Sequence, residues 1–128
     1  MKRGEVYLVN PHPAKGTELS KIRPAVIVST EAINEQDSLT ILVMLGSGAE
    51  NFPQPSPLMV KVDAKSGHLR KDTVFSALQL RALDRSRFFD PKTGETKYLS
   101  TLDAKTMLSI DRALLFALEL HRYLPLPE

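Results

Sequence analysis

The sequence predicts a mainly β (α+β) fold: a small, strongly bent sheet or barrel of about six strands, plugged by a long C-terminal helix. Three observations predict it. Short β-branched and aromatic runs recur at close spacing between Pro and Gly punctuation. The last stretch is different in kind, rich in Leu, Ala, Met and Arg and free of Gly and Pro over 104–123. The chain has 128 residues, of which 42% are apolar, which fits a single domain spanning 1–128 with one sizeable core.

The elements follow in order. Val6-Tyr7-Leu8-Val9, ended by Pro11 and Pro13, reads as a strand at about 5–9. After a polar stretch around Gly16, residues 24–29 read as a buried strand whose Pro24 is tolerated at its first position. Residues 30–34 suit one helical turn, and 38–45 a third strand closed by Gly46-Ser47-Gly48. Prolines at 53, 55 and 57 favour a stiff, extended loop. Residues 58–62 alternate as a fourth strand, 66–72 form a turn, and 73–83 supply one or two strands. Lys92-Thr93-Gly94 marks another turn. Asp103 is a helix N-cap, and Pro125 and Pro127 stop the helix.

The composition excludes several classes. Charged residues at 25% argue against wholesale disorder. No cysteine means no disulfide framework and no zinc–thiolate site, and three scattered histidines make a structural metal site a poor expectation. The start Met1-Lys2-Arg3-Gly4-Glu5 lacks the apolar stretch of a secretory signal, and no apolar run is long enough for a bilayer, so a cytoplasmic protein is expected.

Lys plus Arg (17) against Asp plus Glu (15) gives a formal charge of +2. Its distribution is uneven: residues 65–87 hold Lys65, Arg70, Lys71, Arg81, Arg85 and Arg87 against Asp72 and Asp84, a local +4 that leaves −2 elsewhere. Such a block suits a phosphate backbone; it equally suits a solvated face with Arg85 and Arg87 paired to Asp84 or Asp90. Along the terminal helix, Lys105, Ser109, Arg112 and Glu119 share a water-facing side with Phe116 in its middle, a place for contact with another chain or cover by this one.

Arg3-Gly4-Glu5-Val6-Tyr7-Leu8-Val9, Gly16-Thr17-Glu18 and the run from Lys21-Ile22-Arg23-Pro24 to Ser29 resemble the opening of the MazF/PemK toxins of type II toxin–antitoxin systems. Leu78-Gln79-Leu80-Arg81-Ala82-Leu83-Asp84 with Arg85-Ser86-Arg87 resembles their second block. The likeness spans roughly residues 3–90. It implies an SH3-like barrel of the CcdB/MazF/PemK kind, a homodimer, and sequence-selective cleavage of single-stranded RNA without metal or cofactor. It also implies inhibition by a cognate MazE-like antitoxin whose acidic tail occupies the RNA groove.

Metal-free cleavage uses the 2′-hydroxyl as nucleophile, so the protein must stabilise a charged phosphorane and manage two protons. The resemblance makes Arg23 catalytic, its forked, permanent cation suited to two phosphate oxygens; an ion pair with Glu18 is the structural alternative. Ser47 stands where the family has a hydroxyl pair, with Gly46 replacing the threonine, and the glycines either admit a phosphate or merely shape a turn. RNA contacts are expected from Thr17, Glu18, Lys21, Gly46, Ser76, Gln79 and Arg81. Phe52 is a candidate for base stacking, or else for the core.

Three departures matter. Thr17 stands where some relatives have a histidine, and Ser76 and Leu78 stand where the PemK branch has an arginine and an acid. His68, beside Arg70, is a candidate base that nothing in the sequence places near Arg23. These gaps keep open a second reading, an inactive barrel that binds DNA or a protein such as gyrase. A ligand-binding SH3-like module is a third, though the chain has no Trp and three Tyr.

Overall fold

The computed structural model describes residues 1–11, 22–38 and 40–123. Its core is one six-stranded sheet, ordered β4-β5-β3-β2-β1-β6, in which every neighbouring pair is antiparallel. The strands are β1 (Glu5–Val9), β2 (Arg23–Ile27), β3 (Ile41–Gly48), β4 (Met59–Val62), β5 (Thr73–Leu83) and β6 (Tyr98–Thr101). Three helices join them: α1 (Glu31–Asn34), α2 (Ala64–Gly67) and α3 (Ala104–Ala117).

The sheet buries both faces. Val6, Val26, Met44, Val60 and Phe75 pack on one face against Met107, Ile110 and Ala113 of α3, the expected plug. Val9, Ala25, Ile27, Ile41, Val43 and Leu45 form a second cluster on the other face with Tyr7 and Phe88. Burial, reinforced by the hydrogen bond to Glu5, pushes the Tyr7 phenol up to about 12. Both clusters draw on alternate residues of the same strands, as a period of two requires.

Two features curl the sheet. Met44 pairs with Leu80 and Gly46 with Phe75, so Leu45 alone on β3 faces Ser76, Ala77, Leu78 and Gln79 of β5. This wide bulge lets the first part of β5 pair with β4 while the rest continues along β3. At the far edge, Ser100 of β6 donates its hydroxyl to the carbonyl of Gly67 at the end of α2. That bond draws the two ends of the sheet toward each other into a half-barrel. Gly4 is required at the entry to β1: its φ of +94° lets its N–H reach Ile27 (2.8 Å) while its carbonyl accepts from Leu102 (2.9 Å).

Arg3, part of the family-like opening, is structural. Its Nε donates to Val28 O at 2.9 Å and its Nη2 pairs with Asp111 at 2.5 Å, tying the N-terminus to β2's end and α3.

Several boundaries differ from the sequence reading. β2 begins at Arg23 and ends at Ile27, and of the two options for 73–83 the structure has the single strand. β3 runs through Gly46-Ser47-Gly48, which is strand and not a closing turn. A helical turn, α2, opens the segment that reads as a plain turn, and β6 forms where the sequence shows no strand-like run. α3 starts as expected, with Asp103 accepting from Thr106 N at 2.7 Å, but it ends at Ala117 rather than 123. The cause is a Schellman motif. Leu120 N bonds Leu115 O (2.8 Å) and Glu119 N bonds Phe116 O (3.1 Å), with Glu119 at φ +60° in the left-handed position. His121 therefore lies beyond the helix, its ring 5.1 Å from that of Phe116, and not on the helix terminus.

A non-glycine residue pays a steric penalty at that position. Glu119→Gly is expected to raise stability by about 0.5–1 kcal/mol. The check is a higher urea midpoint with an unchanged slope.

Candidate functional site

Cross-strand register gathers the site. Ala25 on β2 pairs with Leu45 on β3, and Val43 on β3 pairs with Arg81 on β5. Arg23 lies two residues before Ala25 and Ser47 two residues after Leu45, so Arg23, Ser47 and Arg81 project from the same face of three adjacent strands. This is the face of the second cluster, at the end where apolar side chains give way to polar ones.

Arg23 is half-buried and held twice. Its Nε donates to Gly46 O at 3.0 Å and its Nη2 donates to Ser47 Oγ. Pro24 follows it and restricts its backbone. A guanidinium has five N–H donors, and these two bonds leave three for a ligand. Because Ser47 Oγ accepts from Arg23, its own proton is free to donate elsewhere.

Burial, and then the positive charge of Arg81, depress the Arg23 guanidinium below its ordinary value. The fold thus holds two cations within electrostatic reach of each other. Arg81 is exposed and donates to Gln79 Oε1 at 2.9 Å, which aligns the two side chains. An anion between Arg23 and Arg81 would relieve the repulsion and meet the free donors.

The other expected site residues fall into three groups. Thr17, Glu18 and Lys21 lie outside the described residues, and so does any pairing of Arg23 with Glu18. Gly46 is buried, and its α-carbon faces the core side: an added Cβ would sit 2.7 Å from Thr73 Cγ2 and 3.1 Å from Pro24 Cγ. Its contribution is the carbonyl that fixes Arg23, and the sheet has no room there for the threonine of the family pattern. Ser76 is likewise corrected. It is buried, and its Oγ accepts from Leu78 N at 3.1 Å, so its hydroxyl stabilises the bulge and does not face a ligand. Leu78 is 64% exposed at the tip of that bulge.

Phe52 is half-buried and walls a cavity of about 280 Å³ with Pro53, Met59, Lys61 and Val74. It lies outside both core clusters. Arg85 belongs to the fold, donating to Asn34 O (2.9 Å) and Gln36 O (2.7 Å), and its charge also reaches Asp84.

The sequence reading missed one juxtaposition. A cleft of about 880 Å³ is lined by His68, Arg70, Lys71 and Lys92 together with Pro24 and Ser47. His68, at φ +54° after α2, therefore lines the same cavity as Ser47, although the two lie 21 positions apart in sequence. Only the α2 turn and the β3–β5 pairing bring them together, and no local pattern encodes that. Among the described residues, no cluster of three His, Asp or Glu side chains is placed to hold a metal ion.

Fold and site together define a small antiparallel half-barrel, helix-plugged on one face, with two arginines, Arg23 and Arg81, at the polar end of the other. The family model for PemK-like, MazF-like toxins of type II toxin–antitoxin systems matches residues 2–118, and the chain belongs to that family. It is 34% identical over 121 residues to endoribonuclease MazF of Staphylococcus saprophyticus, covering 94% of this chain and 93% of that protein. It is 28% identical over 123 residues to endoribonuclease MazF of Staphylococcus epidermidis, covering 96% and 95%. In fold it is similar to a mycobacterial endoribonuclease solved with its cognate antitoxin, at a TM-score of 0.68 and 22% identity over 99% of both chains. MazF from Deinococcus radiodurans is similar at a TM-score of 0.67 and 21% identity, over 93% of this chain and 96% of that one.

The like-charge contact gives a direct test. Arg81→Gln removes one cation beside Arg23, so the urea midpoint should rise at about 10 mM salt. The gain should shrink toward zero at about 1 M, where the screening length is about 3 Å. A midpoint that falls, or a gain indifferent to salt, would mean the repulsion is not felt.

Proposed function

We propose that the chain is an endoribonuclease toxin that cleaves single-stranded RNA, mRNA above all, in a sequence-selective way. The observation that carries this reading is the Arg23 guanidinium, anchored by Gly46 O and Ser47 Oγ and facing Arg81. Membership of the PemK-like, MazF-like family and likeness to proteins named endoribonuclease MazF support it.

In this reading the scissile phosphate seats between Arg23 and Arg81. The ribose 2′-oxygen attacks phosphorus and the bond to the 5′-oxygen breaks, leaving a 2′,3′-cyclic phosphate and a 5′-hydroxyl. Arg23 donates its remaining N–H groups to the non-bridging oxygens as their charge grows, and the free Ser47 proton adds one more bond. Both are fixed before the substrate arrives, so little reorganisation opposes the reaction. Water carries the 2′-hydroxyl proton away and returns one to the leaving oxygen.

A cationic groove of this kind also suits the acidic tail of a cognate MazE-like antitoxin, which would compete with RNA for the same two arginines. A messenger RNA substrate fits a cytoplasmic protein; no helix among the described residues is long and apolar enough to cross a membrane. We also assign self-association to α3. Phe116, Leu118, Leu120 and Tyr123 form an exposed apolar group at its end, and Phe116 is 44% exposed despite its contact with His121.

Cleavage ends on a long RNA, mapped in EDTA, test the reaction. Arg23→Ala should lower the rate by about 10²–10³-fold, the loss typical of a preorganised donor to a charged transition state. Arg23→Lys should recover little of it, since a lysine cannot keep both anchors and still fork onto the phosphate. Equal cutting by wild type and Arg23→Ala would overturn the assignment. For the dimer, Phe116→Asp should shift the mass in equilibrium sedimentation toward the monomer, and an unchanged mass would exclude the helix face.

A further inference from the structure

We infer that the pocket walled by Phe52 and Met59 holds one unpaired nucleobase next to the scissile phosphate, and that it sets the base preference at that one position. The inference rests on the nuclease reading and deepens it. Three observations carry it.

The first is register. Ser47 pairs with Val74, and Val74 pairs with Lys61, so the three side chains form a row across β3, β5 and β4 on one face of the sheet. Val74 and Lys61 line the pocket. Two strand spacings put the pocket about 10 Å from Ser47, within reach of a nucleotide adjoining the one that is cut.

The second is chemistry. The walls are a ring and apolar side chains, Phe52, Pro53, Pro55, Met59 and Val74, which suit the face of a base and give little to a phosphate. Polar groups stand at the rim. Lys61 is exposed and can neutralise the adjacent phosphate, while Gln54 offers one acceptor and two donors to a base edge.

The third is size and rigidity. At about 280 Å³ the pocket admits one base and not a stacked pair. Its wall is preset: Phe52 N bonds Ala49 O at 3.0 Å, and the alternating prolines stiffen the loop beyond. A preset pocket loses little entropy on binding, which favours discrimination over adaptation.

The test is an abasic scan of a short cleavable RNA, with kcat/KM measured for wild type, Phe52→Ala and Phe52→Trp. Wild type should show one position beside the cut where removing the base costs roughly 5- to 150-fold, the range of a single base–aromatic stack. Phe52→Ala should cut intact and abasic RNA alike at that position and keep the penalties at all others. Phe52→Trp should retain the penalty. If Phe52→Ala carries the wild-type penalty at every position, the pocket is not a base site.

Should Phe52→Ala fail to fold, the exposed Gln54→Ala carries the test. Its base preference at that position should flatten across a randomised library, and a preference profile matching wild type would overturn the inference. The two readings fail separately. A wild type that cuts no RNA overturns the nuclease itself; a wild type that cuts through Arg23 while the pocket variants match it overturns only the pocket.

Discussion

The bond between Arg23 and its two anchors fixes everything this site can do. A long cationic side chain on an edge-facing strand position would ordinarily sample many rotamers in water, and ordering it on a ligand would cost about 2 kcal/mol. Here the sheet supplies the order. The carbonyl of Gly46 and the hydroxyl of Ser47 come from β3, the strand hydrogen-bonded to β2, so their positions follow from the same ladder that builds the core. Gly46 must be glycine because its other side abuts Thr73, Phe75 and Pro24, and its carbonyl is free to serve Arg23. Packing on one face of the sheet thus determines chemistry on the other.

The bulge in β5 does comparable work at a larger scale. A regular β5 could not pair with both β3 and β4 and still present Gln79 and Arg81 beside Arg23. Four residues opposite Leu45 turn the strand, and Ser76 caps the turn from inside through its bond to Leu78 N. Ser76 and Arg81 lie five residues apart on β5: Ser76 is buried inside the bulge, and Arg81 beyond it is exposed. Residues close in sequence within an irregular strand do not share a face, and motif matching alone assigns them to a common role.

What was legible in the sequence divides along the same line. β1 was read at its true bounds because Pro11 follows closely, and the α3 start because Asp103 is a cap with a helical run behind it. Features with a period and a stop signal are local, and local physics encodes them. β6 is four residues long with exposed Tyr98 and Thr101, too short and too polar for a pattern, and it exists because β1 offers it a partner. The end of α3 carried no glycine, since Glu119 itself adopts the left-handed turn. For the site, the resemblance pointed to Arg23, Ser47 and Arg81, which the register sets on one face, and to Gln79, which accepts a hydrogen bond from Arg81. It pointed equally to Ser76, which the bulge removes. Lys61 carries no signal in the sequence, and His68 stands there as a candidate base without a place, because only cross-strand pairing and the α2 turn carry them to the site's surroundings.

The electrostatics argue for what the site awaits. Placing a half-buried guanidinium near a second one is unfavourable in the free protein, and no acidic side chain among the described residues hydrogen-bonds Arg23 to offset it. Elsewhere in the fold such groups are paired: Arg3 has Asp111, and Arg85 has two carbonyls. A fold that leaves these two guanidiniums in each other's field holds a potential that an incoming anion relaxes. Ground-state phosphate, with its charge shared over two oxygens, relaxes part of it. A phosphorane carries more negative charge on those oxygens and relaxes more, and that difference is what catalysis requires. On the proposed nuclease reading, the repulsion that weakens the resting protein is the reserve on which preferential transition-state binding would draw.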